Sequence, residues 1–423
     1  MAKHDQNESA RGRVLELLRA NDTGRYITPS RHQYIHQWLW DSCFHAIALA
    51  PFDVEWARRE LLSVFDAQWD DGMLPHIRFG GDPSGGYRPN AEDWATGRPS
   101  SGITQPPLVA LAARVLHETA PDRAFLERIA EPLARYHDWL AATRDVDGAG
   151  LVVAVHPWES GTDNSPIYDG VRDRFLASGM GAAPPARVDT ERVAADERPR
   201  DEDYLLYWGL IRSFQELGWS SRVMAERSGC RVLDLTFNSI WARANDDLAF
   251  LLRELGRARD AERAETRAER ARAALRSRCW SEEDRFFYAR DASLDAPIRI
   301  RTVAGFLPLI AGAATDEMAS ALVDALLDPR RFGGRFGAPS TAFDEPAFDP
   351  KNYWRGPIWL NMHHLLADGL RRYGYTSEAD ALTRNSLALV EASGYREYYD
   401  AHTGEGRGAR DFCWSALAHR PRR

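Results

Sequence analysis

The sequence predicts an all-α fold in one closed ring of helical hairpins, and three observations predict it. Apolar residues recur at three- and four-residue spacing in segment after segment of the 423 residues, whereas two-residue alternation is short and rare. No proline- or serine-rich linker divides the chain, although it exceeds the roughly 250–300 residues at which one core usually stops growing. No sequence repeat at a period near about 34 or 40 residues is present, which argues against a helical solenoid.

The clearest helix carries Phe237, Ile240, Trp241, Ala244, Leu248, Leu251, Leu252 and Leu255 on one face, and Gly256 closes it. Similar spacing predicts helices at 14–18, 38–49, 56–69, 108–116, 125–140, 204–217, 267–275, 318–327, 358–370 and 379–390. Alternation is confined to segments such as 151–155 and 286–289, too little for a large sheet. Three long irregular segments, 78–102, 177–200 and 328–352, interrupt the helices and read as lid loops. The first, Gly-rich with Tyr87 and Trp94 embedded, suits a cover over a small ligand. The second, rich in Pro, Ala and charge, also fits surface disorder.

With 54 Lys and Arg against 62 Asp and Glu, the net charge of −8 gives no positive field for a polyanion, so nucleic acid is not an expected partner. The cysteines, Cys43, Cys230, Cys279 and Cys413, are isolated, which indicates buried thiols and neither a zinc site nor a disulfide framework. The first 19 residues are polar, and the longest near-apolar run, 303–314, is interrupted by Gly305, Pro308 and Gly312. Neither a secretion signal nor a membrane span is expected, and the reading is a cytoplasmic protein. Charged helical faces such as 260–272 read as solvated rather than as partner surfaces.

The chain holds 14 Trp and 17 Phe, and aromatic residues gather with acids and amides in four short segments: 34–41, 156–166, 353–359 and 396–400. Flat aromatic faces pack on the C–H faces of sugar rings while carboxylates and amides take the hydroxyls, so this mixture points to a carbohydrate pocket. Trp beside Gly, Pro and acid is poor composition for a helix interior, which sets Trp38, Trp40, Trp158, Trp354, Trp359 and Trp414 apart from Trp139, Trp219, Trp241 and Trp280, read as core. Pro157, Gly161 and Pro166 break any helix through 157–166 and place its acids on a loop. Glycoside hydrolysis needs two carboxyl groups flanking the scissile bond. Asp163 and Glu397 are candidates; Glu159 and Asp41 are rivals, each also readable as a helix cap or an arginine partner.

The ordered motifs Trp40-Asp41-Ser42 with Phe44-His45, Leu74-Pro75-His76, 102–107 with Gln105, 159–163, 352–359 and Glu397–Asp400 with Phe412–Ser415 resemble glycoside hydrolase family 63. Within it they are similar to the short bacterial hydrolases of mannosylglycerate and glucosylglycerate. The resemblance runs from about Tyr34 to Ala418 and implies an (α/α)6 barrel, an inverting mechanism and no cofactor or required metal. It implies Asp163 as general acid and Glu397 as general base. Trp40, Asp41, Gln105, Tyr353, Trp354, Gly356 and Trp359 match the sugar subsite, with Trp158 and Gly161 beside it; Tyr34, Trp38, His76 and Tyr87 match the rim that meets the leaving group. No room for the extra β-sandwich of larger members favours a small enclosed substrate, with 2-O-α-D-mannosyl-D-glycerate first and its glucosyl counterpart or a trehalose-type glucoside as alternatives. A sugar epimerase or a non-catalytic binding protein ranks lower; the adjacent His363 and His364 point differently around a helix, unlike a proton-transfer pair. For a glycerate carboxylate the nearest cations are Arg355, Arg78 and Arg88, and Tyr34, Tyr87 and Gln105 are neutral donors that could serve instead.

Overall fold

A computed structural model describes residues 2–80 and 86–420, with side chains from residue 10 onward. Residues 81–85 of the 78–102 segment, and the side chains at the start of the chain, lie outside the described residues. The fold is predominantly helical. The helix expected at 237–255 is Leu235–Glu254: Asp234 starts it by accepting the Phe237 N–H at 2.8 Å, and Gly256, at φ 75°, ends it. Asp122 likewise caps Arg123–Thr143, and Asp53 caps Val54–Ser63. The helix expected at 56–69 therefore starts two residues earlier, at Val54, and it stops short because the chain tightens into the 3-10 turn Val64–Ala67.

Among the described residues, two helices longer than one turn lie below the reach of periodicity. Asp169–Ala177 buries only Val171 and Phe175, and Ser221–Arg227 is under two turns long. The near-apolar run at 303 is the 3-10 helix Val303–Leu309 with Pro308 inside it, and Cys413–His419 is a second 3-10 helix. The alternation at 151–155 is not a strand. The whole segment is buried, and its amides go to core partners, Val152 N–H to Asn238 Oδ1 and Val153 N–H to the Arg144 carbonyl, with a lone bridge from Ala154 to Val232.

Six of these elements contact one another in turn: Leu39–Leu49 with Val109–Thr119, then Leu235–Glu254, Val303–Leu309, Leu360–Arg372 and Cys413–His419, which packs again on Leu39–Leu49. Between them in sequence come Val54–Ser63, Arg123–Thr143, Ala258–Ala274, Asp316–Leu327 and Thr376–Ser393, with Ala2–Ala20 ahead of the first. Strands are two to five residues long. Two antiparallel pairs matter below: Gln37–Trp38 with Ile77–Arg78, and Arg396–Tyr399 with Gly406–Arg410. All four cysteines are buried and free. Among the described residues no cluster of acids, His and Cys could hold a metal ion, and no helix is long and apolar enough to cross a membrane. Trp139 and Trp241 are core, as their apolar faces imply; Trp219 and Trp280 are half-buried and lie outside helices, Trp219 at φ 59°.

One buried ion pair joins the segments that lead to the pocket. Arg144, at the end of Arg123–Thr143, donates to Glu159 Oε1 at 2.7 Å and Oε2 at 3.2 Å, both side chains 1% exposed. The same carboxylate accepts the backbone N–H of Thr104 at 3.2 Å and of Val155 at 2.8 Å. Four donors saturate Glu159, so it is committed to structure and leaves the contest for a catalytic acid. Removing one partner of a buried pair strands the other charge. We expect Glu159→Ala to lose about 3–5 kcal/mol of stability, read by thermal or denaturant unfolding.

Candidate active site

Glu397 stands on the strand Arg396–Tyr399, where a register shift between Arg396 and Tyr398 lets it face inward. Its Oε2 accepts the Ala409 N–H at 2.9 Å; its Oε1 accepts the Tyr34 hydroxyl at 2.7 Å and Arg198 Nη1 at 3.4 Å. Asp163 follows the one-turn helix Pro157–Ser160, which ends at Gly161 with φ 72°. A Cβ on Gly161 would lie 2.4 Å from the Trp40 ring, so only glycine lets this loop close on that tryptophan.

Asp163 is half-buried, lines the pocket and accepts no side-chain hydrogen bond among the described residues. Burial is the largest influence on its carboxyl and raises it; nearby Arg198 pulls it back, Glu397 pushes it up again, and it ends at about 7. Asp41 in the first turn of Leu39–Leu49 is held well above the usual carboxylate range, first by burial and then by Glu397, with Asp163 adding to it. Three carboxyl groups on three separate elements thus act on one another in one cavity.

Tyr34, Trp38, Trp40, Asp41, His76, Tyr87, Gln105, Trp158, Gly161, Asp163, Tyr353, Trp354 and Glu397 all line this cavity, and so does Trp414. Gly356 and Trp359 do not. Trp359 lies one layer behind, stacked on Trp354 at 3.7 Å and 5° between planes, its Nε1 donating to the Tyr353 carbonyl at 3.1 Å. Gly356 is a packing requirement, since a Cβ there would fall 2.3 Å from the Asp349 carbonyl oxygen. Tyr353 sits at φ 43°, a conformation that costs a non-glycine residue about 1–3 kcal/mol. That backbone is fixed by the Trp359 bond and by Asn164 Oδ1, which accepts the Trp354 N–H at 2.9 Å.

His76 is neutral: burial lowers it well below the ordinary histidine range, and its Nδ1 bonds Ser101 Oγ at 2.6 Å. Gln105 Oε1 accepts the Trp40 N–H at 3.3 Å. Of the three cations considered for a carboxylate, Arg355 forms a two-pronged pair with Asp169 at 2.9 and 2.7 Å, away from the cavity. Arg78 pairs with Asp66 and does not line the cavity either; Arg88 lines it but is bonded to Asp93 at 2.7 Å.

The cation the sequence did not reveal is Arg198, buried with its guanidinium 4.4 Å from the Tyr353 ring centre. Nη1 donates to the Tyr34 hydroxyl at 2.9 Å as well as to Glu397, and Nε reaches Asp189 at 3.4 Å. Asp189 and Tyr204 were missed with it. Arg198 and Asp189 lie in the Pro-, Ala- and charge-rich segment 177–200, which reads as a lid loop or as surface disorder, and Tyr204 lies in an expected helix; the length of the irregular segment is the one usable signal. That segment supplies Val188, Asp189, Glu191, Arg192 and Arg198 to the cavity wall. By contrast no residue of 328–352 lines the cavity; its Phe336, Phe343 and Phe348 pack instead on a separate cluster around Ile358, Leu389 and Tyr399.

Comparison with known proteins identifies the family. The profile of the mannosylglycerate hydrolase MGH1-like glycoside hydrolase domain matches residues 34–415. The chain is 41% identical to a mannosylglycerate hydrolase of Thermus thermophilus over 96% of this chain and 98% of that one. It is 33% identical to a glucosylglycerate hydrolase of Mycolicibacterium hassiacum, with 96% of each chain covered. A crystal structure of a family 63 mannosylglycerate hydrolase from Thermus thermophilus, in complex with Tris and D-glycerate, superposes with a TM-score of 0.91 at 40% identity over 97% of this chain and 98% of that one. The chain therefore belongs to the MGH1-like mannosylglycerate hydrolase family within glycoside hydrolase family 63, and it is a glycoside hydrolase.

Proposed function

We propose that this enzyme hydrolyses 2-O-α-D-mannosyl-D-glycerate to mannose and glycerate with inversion, Asp163 acting as general acid and Glu397 as general base. The observation that carries the reading is the contrast between two carboxyls in one cavity. Asp163 is pushed up to about 7 and lacks side-chain donors, which suits a group that carries a proton at neutral pH. Glu397 is gripped by Tyr34, Arg198 and the Ala409 amide, which suits a fixed acceptor. The full-length likeness to mannosylglycerate hydrolases supports the substrate. The cyclic succession of six contacting helical elements supports a single (α/α)6 barrel spanning the chain, with 78–102 and 177–200 as covers over the cavity.

In this mechanism the mannose ring lies against Trp40 and Trp354, the latter stiffened by Trp359 behind it. Asp41, Gln105 and the Tyr353 hydroxyl take sugar hydroxyls. Asp163 gives its proton to the glycosidic oxygen as the bond to the anomeric carbon breaks. Glu397 takes a proton from a water attacking the opposite face, with room for that water at a carboxyl separation of about 6.5–9.5 Å. The glycerate carboxylate is bound by the neutral donor Tyr87, because Arg355 and Arg78 are paired elsewhere, the Tyr34 hydroxyl donates to Glu397 and Gln105 serves the sugar. Glucosylglycerate is the second reading, favoured by the full-length relative of that activity. An epimerase reading loses support, since His363 and His364 line a different cavity and His363 is bonded to Ser386 and the Ala338 carbonyl.

The test is turnover of mannosylglycerate and glucosylglycerate side by side, with the wild type and two isosteric variants. Asp163→Asn and Glu397→Gln should each lower kcat by about 10²–10⁴-fold. In the wild type, kcat should fall as pH rises above about 7, about tenfold per unit, because Asp163 must hold its proton. A near-native kcat in either variant would reject that residue's role.

Stability should also fall as pH rises, but over a lower window than kcat. Folded Asp163 keeps its proton up to about 7 while the unfolded chain releases it near the ordinary 3.8, so the folded state loses stability as pH rises through that window. The loss is at most about 4 kcal/mol, reduced by water at the cavity mouth. Asp163→Asn should raise Tm at pH 8 and leave it unchanged below about pH 4.

A further inference from the structure

We propose that Glu197 is a positioning residue for Glu397, latching the irregular segment that carries Arg198 onto the hairpin that carries the base. The proposal rests on the reading of Glu397 as general base and extends it to a side chain that does not line the cavity.

Glu197 ends the single 3-10 turn Ala195–Glu197, and all three of its oxygens are taken by the hairpin of Arg396–Tyr399 and Gly406–Arg410. Oε1 accepts Arg407 Nη1 at 3.0 Å, Oε2 accepts the Gly408 N–H at 3.0 Å, and the backbone carbonyl accepts the Tyr398 hydroxyl. The next amide along the strand, Ala409 N–H, donates to Glu397 Oε2 at 2.9 Å. Adjacent amides therefore hold the two carboxylates side by side. In a regular strand successive N–H groups point to opposite edges; Gly408, at φ 64°, turns them to serve neighbouring acceptors. Glycine is also required for space, since a Cβ there would lie 2.5 Å from Glu397 Oε2.

The other oxygen of the base is fixed by the residue that follows Glu197. Arg198 Nη1 donates to Glu397 Oε1 and to the Tyr34 hydroxyl, which itself donates to Oε1. From the far side, Asn352 Nδ2 donates to the carbonyls of Asp196 and Arg198 at 3.3 and 3.0 Å. Residues 197 and 198 thus bear on both oxygens of Glu397, one through the backbone of the hairpin and one directly. Without Glu197, Arg407 retains Glu405 at 2.8 Å and Asp400 at 3.6 Å, whereas the Gly408 amide loses its acceptor. The hairpin and the Arg198 segment are then tied only by the Tyr398 bond to the backbone carbonyl of residue 197 and by the Arg198 contact with Glu397, and the aim of the base at its water is loosened.

The decisive experiment is a double-mutant cycle on the full chain, with kcat and KM for mannosylglycerate measured for Glu197→Gln, Glu197→Ala, Glu397→Gln and the two combinations. We expect Glu197→Ala to lower kcat about 10- to 100-fold with KM within about twofold, and Glu197→Gln to lie between it and wild type. In the Glu397→Gln background the same Glu197 changes should alter the residual rate by less than about twofold, because the group they position is gone. Equal losses in both backgrounds, or kcat within about twofold of wild type for both Glu197 variants, would overturn the proposal. The isosteric Gln variant carries the cycle where the Ala variant does not fold, as judged by near-UV circular dichroism. A dead Glu397→Gln enzyme beside unaffected Glu197 variants removes the latch alone. A Glu397→Gln enzyme with near-native kcat removes the base assignment and the latch with it.

Discussion

Two walls of the cavity meet through one buried side chain amide, that of Asn164. Its Oδ1 accepts the Trp354 N–H at 2.9 Å, and its Nδ2 donates to Asn352 Oδ1 at 2.6 Å. Asn352 in turn holds the carbonyls of Asp196 and Arg198, and Arg355 reaches the Asn164 carbonyl at 3.3 Å. The loop of Asp163, the aromatic platform at 353–359 and the segment of Arg198 are therefore tied at a single point, one residue from the proposed acid. Each of these buried groups would cost about 1–3 kcal/mol if left without its partner, so the clamp keeps all three segments in register or releases them together. The strained backbone at Tyr353 persists because this point and the Trp359 stack over-determine it.

From that frame the division of labour between carboxyls follows. Asp163 hangs from a loop whose own hydrogen bonds are spent on holding the walls, so its carboxyl meets a cavity with little to stabilise a charge. Glu397 stands on a hairpin whose left-handed Gly408 turns the Ala409 amide toward it, and Arg198 reaches it from the facing segment. Both lie within the field of Arg198, which is buried between opposing acids and pulls the Asp163 carboxyl down while donating to Glu397 directly. Local backbone geometry, rather than residue type, distinguishes the two carboxyls to which the proposed mechanism gives the roles of acid and base.

Residue chemistry in the sequence reached far into this site, and its limits are physical. Helices with a continuous apolar stripe, such as Leu235–Glu254, and aromatic residues beside helix breakers, such as Trp40 and Trp354, carry their signal locally. Trp359 shares the composition of its neighbours but not their position, because stacking can place a ring behind the wall as readily as in it. Glu159 has the local composition of a loop acid, yet it sits in the one-turn helix Pro157–Ser160 and its four donors come from residues 15, 4 and 55 positions away. Arg198 lies in a segment with no periodicity at all, and its burial arises from the cavity it closes, which no local pattern encodes. Similarly, 328–352 has the length of a lid, yet its phenylalanines give it a core of its own.

The stereochemistry of the product tests the proposed mechanism most directly. Proton NMR of mannosylglycerate mixed with enzyme, followed from the first seconds before mutarotation mixes the anomers, reads the configuration at the anomeric carbon. Attack by a water held at Glu397, opposite the bond that Asp163 protonates, releases β-mannose from the α-linked substrate. The appearance of α-mannose first would contradict the division of roles between Asp163 and Glu397.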